Sequence, residues 1–135
     1  MASLLKVDTL TGVTTAGSIS VTGEGNSTTT NLQQGLAKAW ACFVQASSHT
    51  FHDSLNMSSL TDSGAGFSIV NYTNAFSNDD YASPGLAGKG GARLYLDSVG
   101  DAGKSASAMQ LFVANTSGTG TDADDVNISC LGDLA

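Results

Sequence analysis

The sequence has few cations, and they are not clustered. It contains five Lys and Arg against twelve Asp and Glu, which gives a formal net charge of −7. The cations are spread along the chain, with no two adjacent: Lys6, Lys38, Lys89, Arg93 and Lys104. Nucleic-acid binding needs clustered cations that displace the counterions of phosphate, and an anionic membrane surface repels an acidic chain. We therefore expect neither nucleic acid nor a membrane surface as a partner.

Long apolar runs are also missing. The first eight residues contain no apolar stretch of the length found in a signal peptide or a membrane helix. Cys42 and Cys130 lie in apolar strand-like patterns, where cysteine is usually a small buried hydrophobic residue. We expect no disulfide, no membrane insertion, and synthesis and assembly in a cytoplasm.

Proline occurs once and glycine 16 times, and only 13% of the residues are charged, against about 25% in typical domains. Gly and Asn favour tight turns, while Thr suits the pleated surface of a sheet. This composition predicts many short strands joined by turns. The surface should be rich in hydroxyl and amide groups, as expected for a protein that packs among copies of itself.

The first 30 residues differ from the rest of the chain. They contain two short extended segments, residues 4–10 and 18–24, and the second alternates apolar and polar residues. The apolar residues are too few to form a core: Leu4, Leu5, Val7, Leu10, Ile19 and Val21. We predict that residues 1–30 are an extended attachment or oligomerisation arm, and that residues 31–135 form a β domain.

The β domain has strand patterns at regular spacing. Residues 31–40 fit either a short helix or an irregular turn, since Gly35 weakens the helical pattern. The predicted strands are residues 39–45, 50–60, 66–72, 92–99, 107–115 and 125–130, with a hairpin at 61–66 and long loops at 74–89 and 115–125. Such spacing predicts an all-β fold, a small antiparallel β-sandwich of jelly-roll-like form.

Two large aromatic residues are predicted interface or core anchors. Trp40 precedes the first long strand, and we expect it to be largely buried. Phe112 lies opposite Met109, Leu111 and Val113 in a predicted strand that is apolar on both faces. Such a strand lies between two layers or faces another subunit.

Residues 100–105 resemble the end of a phosphate-binding loop. The complete pattern also needs a Gly at position 98, where this chain has Ser98, and a helix after Lys104. A strand pattern follows instead, which favours a Gly-rich hairpin turn.

Residues 49–54 contain His49, His52, Asp53 and Ser54, the residue types of a metal site or a nucleophile triad. Side chains three positions apart in a strand point to opposite faces, so the two histidines cannot bind one ion within a chain. We favour strand histidines at a surface or subunit contact.

Two acidic clusters, residues 78–80 and 122–125, offer oxygen ligands of the kind that calcium binds. Neither has the spacing of a calcium-binding loop, so solvated loop tips are the favoured interpretation. We identify no catalytic residue and no metal ligand, and we expect neither enzymatic activity nor a cofactor.

Residues 31–40 (NLQQGLAKAW) and 53–66 (DSLNMSSLTDSGAG) resemble a module of small fibre and spike proteins of tailed bacteriophages, especially marine ones. The resemblance continues through residues 67–81 and returns in the final five residues, LGDLA. Some phage fibres bind iron through His-x-His, and His49 and His52 depart from that spacing.

This resemblance implies a virion structural protein: a short fibre, spike or knob subunit that its N-terminal arm attaches to the particle. Such fibres are typically homotrimers, and the other implied partners are virion proteins and a host cell-surface glycan or protein. Exposed loops would display binding candidates, here Asp79, Asp80 and Tyr81. Two alternatives remain, a capsid decoration or cement protein and a soluble carbohydrate-binding β-sandwich in which Tyr72, Tyr81 or Tyr95 stacks on sugar.

Overall fold

A computed structural model describes residues 4–13, 19–22, 29–32, 35–90, 92–99 and 103–135. Within these ranges the protein is all-β, with antiparallel strand pairs and no α-helix, so the all-β part of the predicted fold is confirmed. The ten strands are β1 Ser20–Thr22, β2 Thr29–Asn31, β3 Ala39–Val44, β4 Thr50–Leu55, β5 Met57–Gly64, β6 Phe67–Tyr72, β7 Gly85–Lys89, β8 Ala92–Ser98, β9 Ala108–Asn115 and β10 Asp125–Cys130.

The chain divides into two compact units, Met1–Leu36 and Ala37–Ala135. In the first unit, β1 and β2 form a small antiparallel sheet, and the amide of Leu32 donates to the carbonyl of Ile19 at 2.8 Å. Residues 4–13 form no strand. Leu32 and Gly35 lie in turns, so the described part of residues 31–40 follows the turn alternative rather than the helix. Residues 18, 23 and 24 of the predicted second segment lie outside the described ranges.

The second unit is built on eight strands in the order β4-β3-β10-β7-β8-β9-β6-β5. Strands β7 and β8 share only two residue pairs, so the order consists of two four-stranded halves with a narrow link. β4 and β5 stand at opposite ends of this order, although only Asn56 separates them in sequence. The sheet must therefore curve until its two ends meet at Asn56.

Asn56 divides the segment that the sequence predicted as one strand, residues 50–60. Its φ of 59° lies in the left-handed region, which Asn tolerates better than most residues. The Asn56 side chain accepts from the amide of Asn74 at 2.7 Å and donates to the Asn74 carbonyl at 3.0 Å. The prediction of a single strand was wrong. The alternation of Leu55 and Met57 continues across Asn56, so the sequence does not show the break. The hydrogen bonds that hold Asn56 in its turn come from Asn74, which is distant in sequence.

Among the described side chains, most of the buried core comes from the inward faces of the two inner strands of each half. On β9, Met109, Leu111 and Val113 are buried on one face, as the alternation predicted. The corresponding faces of β3, β10 and β6 contribute Ala39, Ala41, Phe43, Val126, Ile128, Cys130, Val70 and Tyr72. One core therefore joins both halves.

The connection between β6 and β7 also enters this core. Phe76 and Tyr81 are each only 2% exposed, and their rings stack with centroids 4.4 Å apart. The Tyr81 hydroxyl donates to the carbonyls of Ser105 and Ala108, both at 3.2 Å. The expectation that Tyr81 is an exposed binding residue was therefore wrong. The loop prediction for residues 74–89 also missed β7.

Both predicted anchors lie on outward faces. Phe112 is partly exposed and stacks on Phe67, its register partner on β6, with centroids 4.4 Å apart. Its aromatic partner is thus in the same chain. Trp40 is also partly exposed, between the buried Ala39 and Ala41 of β3. Its side chain therefore faces away from the core, unlike the largely buried anchor that we expected.

A buried glutamine ties the end of β3 to two distant segments. Gln45 is 2% exposed, and its Nε2 donates to Ser68 Oγ at 2.8 Å and to the Gly66 carbonyl at 3.1 Å. Its Oε1 accepts from the amide of Ala123 at 3.0 Å. The side chain thus satisfies buried polar groups of β6 and of the β9–β10 connection.

Gln45→Leu is expected to lower the free energy of unfolding by roughly 2–4 kcal/mol, because the Ala123 amide and Ser68 hydroxyl lose their partner in the core. Urea unfolding followed by circular dichroism measures this. Gln110→Leu is the matched control, since the one side-chain bond of Gln110 to a described residue is exposed, 3.5 Å from Nε2 to Ser63 Oγ. Equal losses in the two variants would contradict the role given to Gln45.

Candidate functional site

The outward face of β3, β10 and β7 has a shallow apolar groove with a volume of about 540 Å³. We call it the Trp40 groove, and its side chains come mainly from Trp40, Cys42, Pro84, Leu86, Asn127 and Ser129. Strand register builds it: Asn127 pairs with both Leu86 and Cys42, and Ser129 pairs with Trp40. Residues paired across neighbouring strands project from the same face, so these side chains meet although they are distant in sequence.

Large apolar side chains make this face unusual. Leu86 is 76% exposed. Leu55, the register partner of Trp40 on β4, is 48% exposed. Contiguous exposed apolar surface on a soluble domain commonly marks a site of interaction. The Trp40 groove is therefore the candidate functional site of the second unit.

Carboxylates border the Trp40 groove near Cys42. The Cys42 thiol donates to Asp125 Oδ1 at 3.4 Å, and Asp53 is the register partner of Cys42 on β4. Partial burial, the hydrogen bond and charge of Asp125, and the charge of Asp53 together raise the pKa of the Cys42 thiol. The thiol is therefore less reactive than an ordinary one, and the border of the groove is acidic.

The two cysteines have different environments. Both are free thiols, and Cys130 is buried, where burial raises the pKa of its thiol. Its sulfur lies 3.6 Å from the Tyr72 hydroxyl. Cys42 is partly exposed on the outward face, so the prediction of a buried hydrophobic residue holds for Cys130 and was wrong for Cys42.

The two histidines occupy different environments. His49 is nearly buried, with Nδ1 3.7 Å from Asp62 Oδ2, whereas His52 is exposed on β4. Among the residues that the structure describes, no group of three or more His, Cys, Asp or Glu is placed to hold a metal ion.

The acidic cluster before β10 has a structural role. Asp122 Oδ1 accepts from the amide of Gly66 at 2.7 Å, and the Asp122 carbonyl accepts from Lys89 Nζ at 2.8 Å. Ala123 beside it is fully buried. The expectation of a solvated loop tip was therefore wrong for Asp122 and Ala123, whereas Asp124 and Asp125 are exposed. Asp79 and Asp80 are exposed, and they stay binding candidates.

Lys104 is engaged with Tyr81. Its Nζ donates to the Tyr81 carbonyl at 3.3 Å and lies 5.4 Å from the ring centroid. Strand β9 begins at Ala108, where a phosphate-binding loop would continue into a helix. Residues 100–102 of the suspected loop lie outside the described ranges. The described part follows the strand pattern rather than the phosphate-loop pattern.

Two of the three tyrosines proposed to stack on sugar, Tyr72 and Tyr81, are buried and so not available for it. Tyr72 is 7% and Tyr81 2% exposed, and the side chain of Tyr95 lies outside the described part. Sequence reasoning missed Leu86 and Pro84, because residues 74–89 read as a polar loop. The sequence feature that could have indicated the groove is Trp40, a large aromatic residue between two alanines of a strand.

A second exposed apolar surface lies in the first unit. Leu4 and Leu5 are each 78% exposed, and Val13 is 99% exposed. Val7, Leu10 and Val21 are more than half exposed, and Ile19 is partly buried. All six predicted arm residues thus retain surface that a partner could cover.

No helix among the described residues has both the length and the apolar character needed to cross a membrane. Comparison with protein-family models, with curated proteins and with solved structures finds no match for this chain.

Proposed function

We propose that this chain is a non-enzymatic structural subunit of a bacteriophage particle, a short fibre, spike or knob that assembles through its N-terminal arm. The observation that supports assembly most directly is the exposure of the arm, where Leu4 and Leu5 are each 78% exposed. Burying such a side chain stabilises an interface by roughly 1.5–3 kcal/mol. The assignment to phages rests on the resemblance of residues 31–40 and 53–81.

The second unit is, in this proposal, a small antiparallel β-sandwich of jelly-roll-like form. Two observations support it: the four-stranded halves share one core, and the chain passes from one half to the other between β4 and β5, β6 and β7, β7 and β8, and β9 and β10. The subunit forms a homotrimer in the virion, after synthesis and assembly in the host cytoplasm. Other virion proteins and a host-surface glycan or protein are its partners.

Location in the particle tests the main proposal. Mass spectrometry of purified particles of the phage that encodes this chain should detect it, and antibody-gold labelling should place it at the tail. Labelling distributed over the capsid would favour a decoration or cement protein instead. Absence of the protein from particles would contradict both assignments.

Deletion of residues 1–36 tests the arm. The remaining unit, Ala37–Ala135, contains the whole described core, so we expect circular dichroism to show a folded protein. The truncated chain should fail to enter particles, whereas the full chain enters them. In solution, light scattering of the full chain should give three times the 13.6 kDa of one chain. Normal incorporation of the truncated chain would show that the arm is not the anchor.

A further inference from the structure

We propose that the N-terminal segment of one copy, residues 4–10, binds in the Trp40 groove of a second copy. This deepens the proposed function, and it rests on that function for the premise that copies of the chain assemble with one another. It adds the identity of the two surfaces that meet.

The apolar character of the two surfaces is complementary. The groove has a volume of about 540 Å³, within the range of roughly 300–1,000 Å³ common for binding sites. Residues 4–10 form no strand or helix, and Leu4, Leu5, Val7 and Leu10 are each at least 56% exposed. In an extended segment Leu5 and Val7 project to the same side. Both can therefore enter an open groove between Trp40 and Leu86.

Charge favours residues 4–10 as the occupant of the groove over a face-to-face contact between the grooves of two copies. Asp53 and Asp125 border the groove, so two grooves placed face to face would oppose like charges. The segment instead has a cation, Lys6, between Leu5 and Val7. The Lys6 side chain is long enough to reach sideways to the acidic border while Leu5 and Val7 point into the groove. Asp8 then projects away from the groove floor with Lys6.

The arrangement is head-to-tail, because a segment of one copy binds a different surface of the next. Interfaces of this kind form closed rings when the rotation between copies closes, and otherwise they propagate. A ring of three copies would be the proposed trimer. Arm-to-groove contacts then supply the same interface three times.

Disulfide cross-linking to the native Cys42 tests the contact. A full-length chain with Val7→Cys and Cys42→Ser is mixed with the unmodified chain and oxidised with copper phenanthroline. The oxidation is run at alkaline pH, because the raised pKa of the Cys42 thiol lowers its thiolate fraction at neutral pH. We expect a disulfide-linked dimer on a non-reducing gel, and peptide mass spectrometry should identify the Val7→Cys to Cys42 bond. Ser117→Cys in the same Cys42→Ser background is the control, because Ser117 is exposed in another part of the chain.

Two results of this cross-linking experiment would overturn the proposal. One is a cross-linking yield no higher than that of the Ser117→Cys control. The other is a chain with Val7→Cys and native Cys42 that forms the bond only within itself, as dilution would reveal. Detection of the protein in particles without this cross-link would overturn the contact and leave the proposed function intact. If the cross-link forms but the protein is absent from particles, the contact stands and the proposed function is overturned.

Sedimentation velocity of groove variants gives an independent measurement. Leu86→Asp places a carboxylate in the groove at a residue that is 76% exposed, so the fold should tolerate it. We expect its self-association to weaken at least about tenfold, since an apolar contact is replaced by a desolvated charge. Leu134→Asp is the matched control, because Leu134 is 41% exposed and does not line the groove. Equal self-association of both variants and the unmodified chain would overturn the proposal.

Discussion

Gly66→Ala is expected to abolish stable folding of the second unit. A Cβ atom at this position would lie 2.2 Å from the Val113 carbonyl oxygen and 2.7 Å from the Thr121 amide nitrogen. Both are backbone atoms, so relief requires the strands to separate. Gly66 also donates to Asp122 at 2.7 Å and accepts from Val113 at 2.8 Å. We expect a loss of more than about 5 kcal/mol, comparable with the whole stability of a small domain.

Gly118→Ala separates steric overlap from backbone strain. Gly118 has a φ of 77°, close to the 79° of Gly66, but no atom of the described residues lies within 4 Å of its added Cβ. Its substitution should therefore lower the free energy of unfolding only by the cost of placing an alanine in the left-handed backbone conformation, about 1–2 kcal/mol. Far-ultraviolet circular dichroism and urea unfolding compare the two variants. Similar stability of both would contradict the importance of the close approach at Gly66.

Phe43→Ala is expected to lower the free energy of unfolding by about 3–5 kcal/mol, as truncation of a large buried aromatic does. Phe43 is 0% exposed in β3, and its ring meets that of Phe51 edge-to-face, with centroids 6.2 Å apart. Removing the ring leaves a cavity in the core shared by both halves of the sheet. Urea unfolding monitored by circular dichroism provides the measurement.

Trp40→Ala is the matched comparison on the same strand. Trp40 faces outward and is partly exposed, so its truncation should cost at most about half as much as that of Phe43. The sequence alone predicted the opposite, a largely buried Trp40. A larger loss for Trp40→Ala than for Phe43→Ala would show that the outward face of β3 is buried in the folded protein.

Strand positions were predictable where alternation is strong and local. The predicted strand 125–130 matches β10, and 107–115 matches β9 to within one residue. In contrast, β7 was missed because Gly85–Lys89 contains two glycines and only one large apolar residue, Leu86. These residues form a strand because β10 and β8 pair with them from either side. Tertiary pairing overrides a weak intrinsic preference.

Burial of individual polar and aromatic residues was less predictable. Tyr81 lies in a segment rich in Asn, Asp and Ser, yet its ring is in the core and its hydroxyl is satisfied by Ser105 and Ala108. Gln45 is likewise buried because Ser68, Gly66 and Ala123 complete its hydrogen bonds. Those partners are distant in sequence, so local composition cannot predict them.

The sequence by itself determined the all-β class, the inward face of β9 and the lack of clustered cations, because composition and period-two alternation are local properties. The order of the eight strands and the existence of the Trp40 groove were decided only by the tertiary structure. The groove depends on the register that aligns Leu86, Asn127 and Cys42 across three strands. A shift of one residue in that register would turn the same side chains toward the core, and only the packing of the complete domain excludes it.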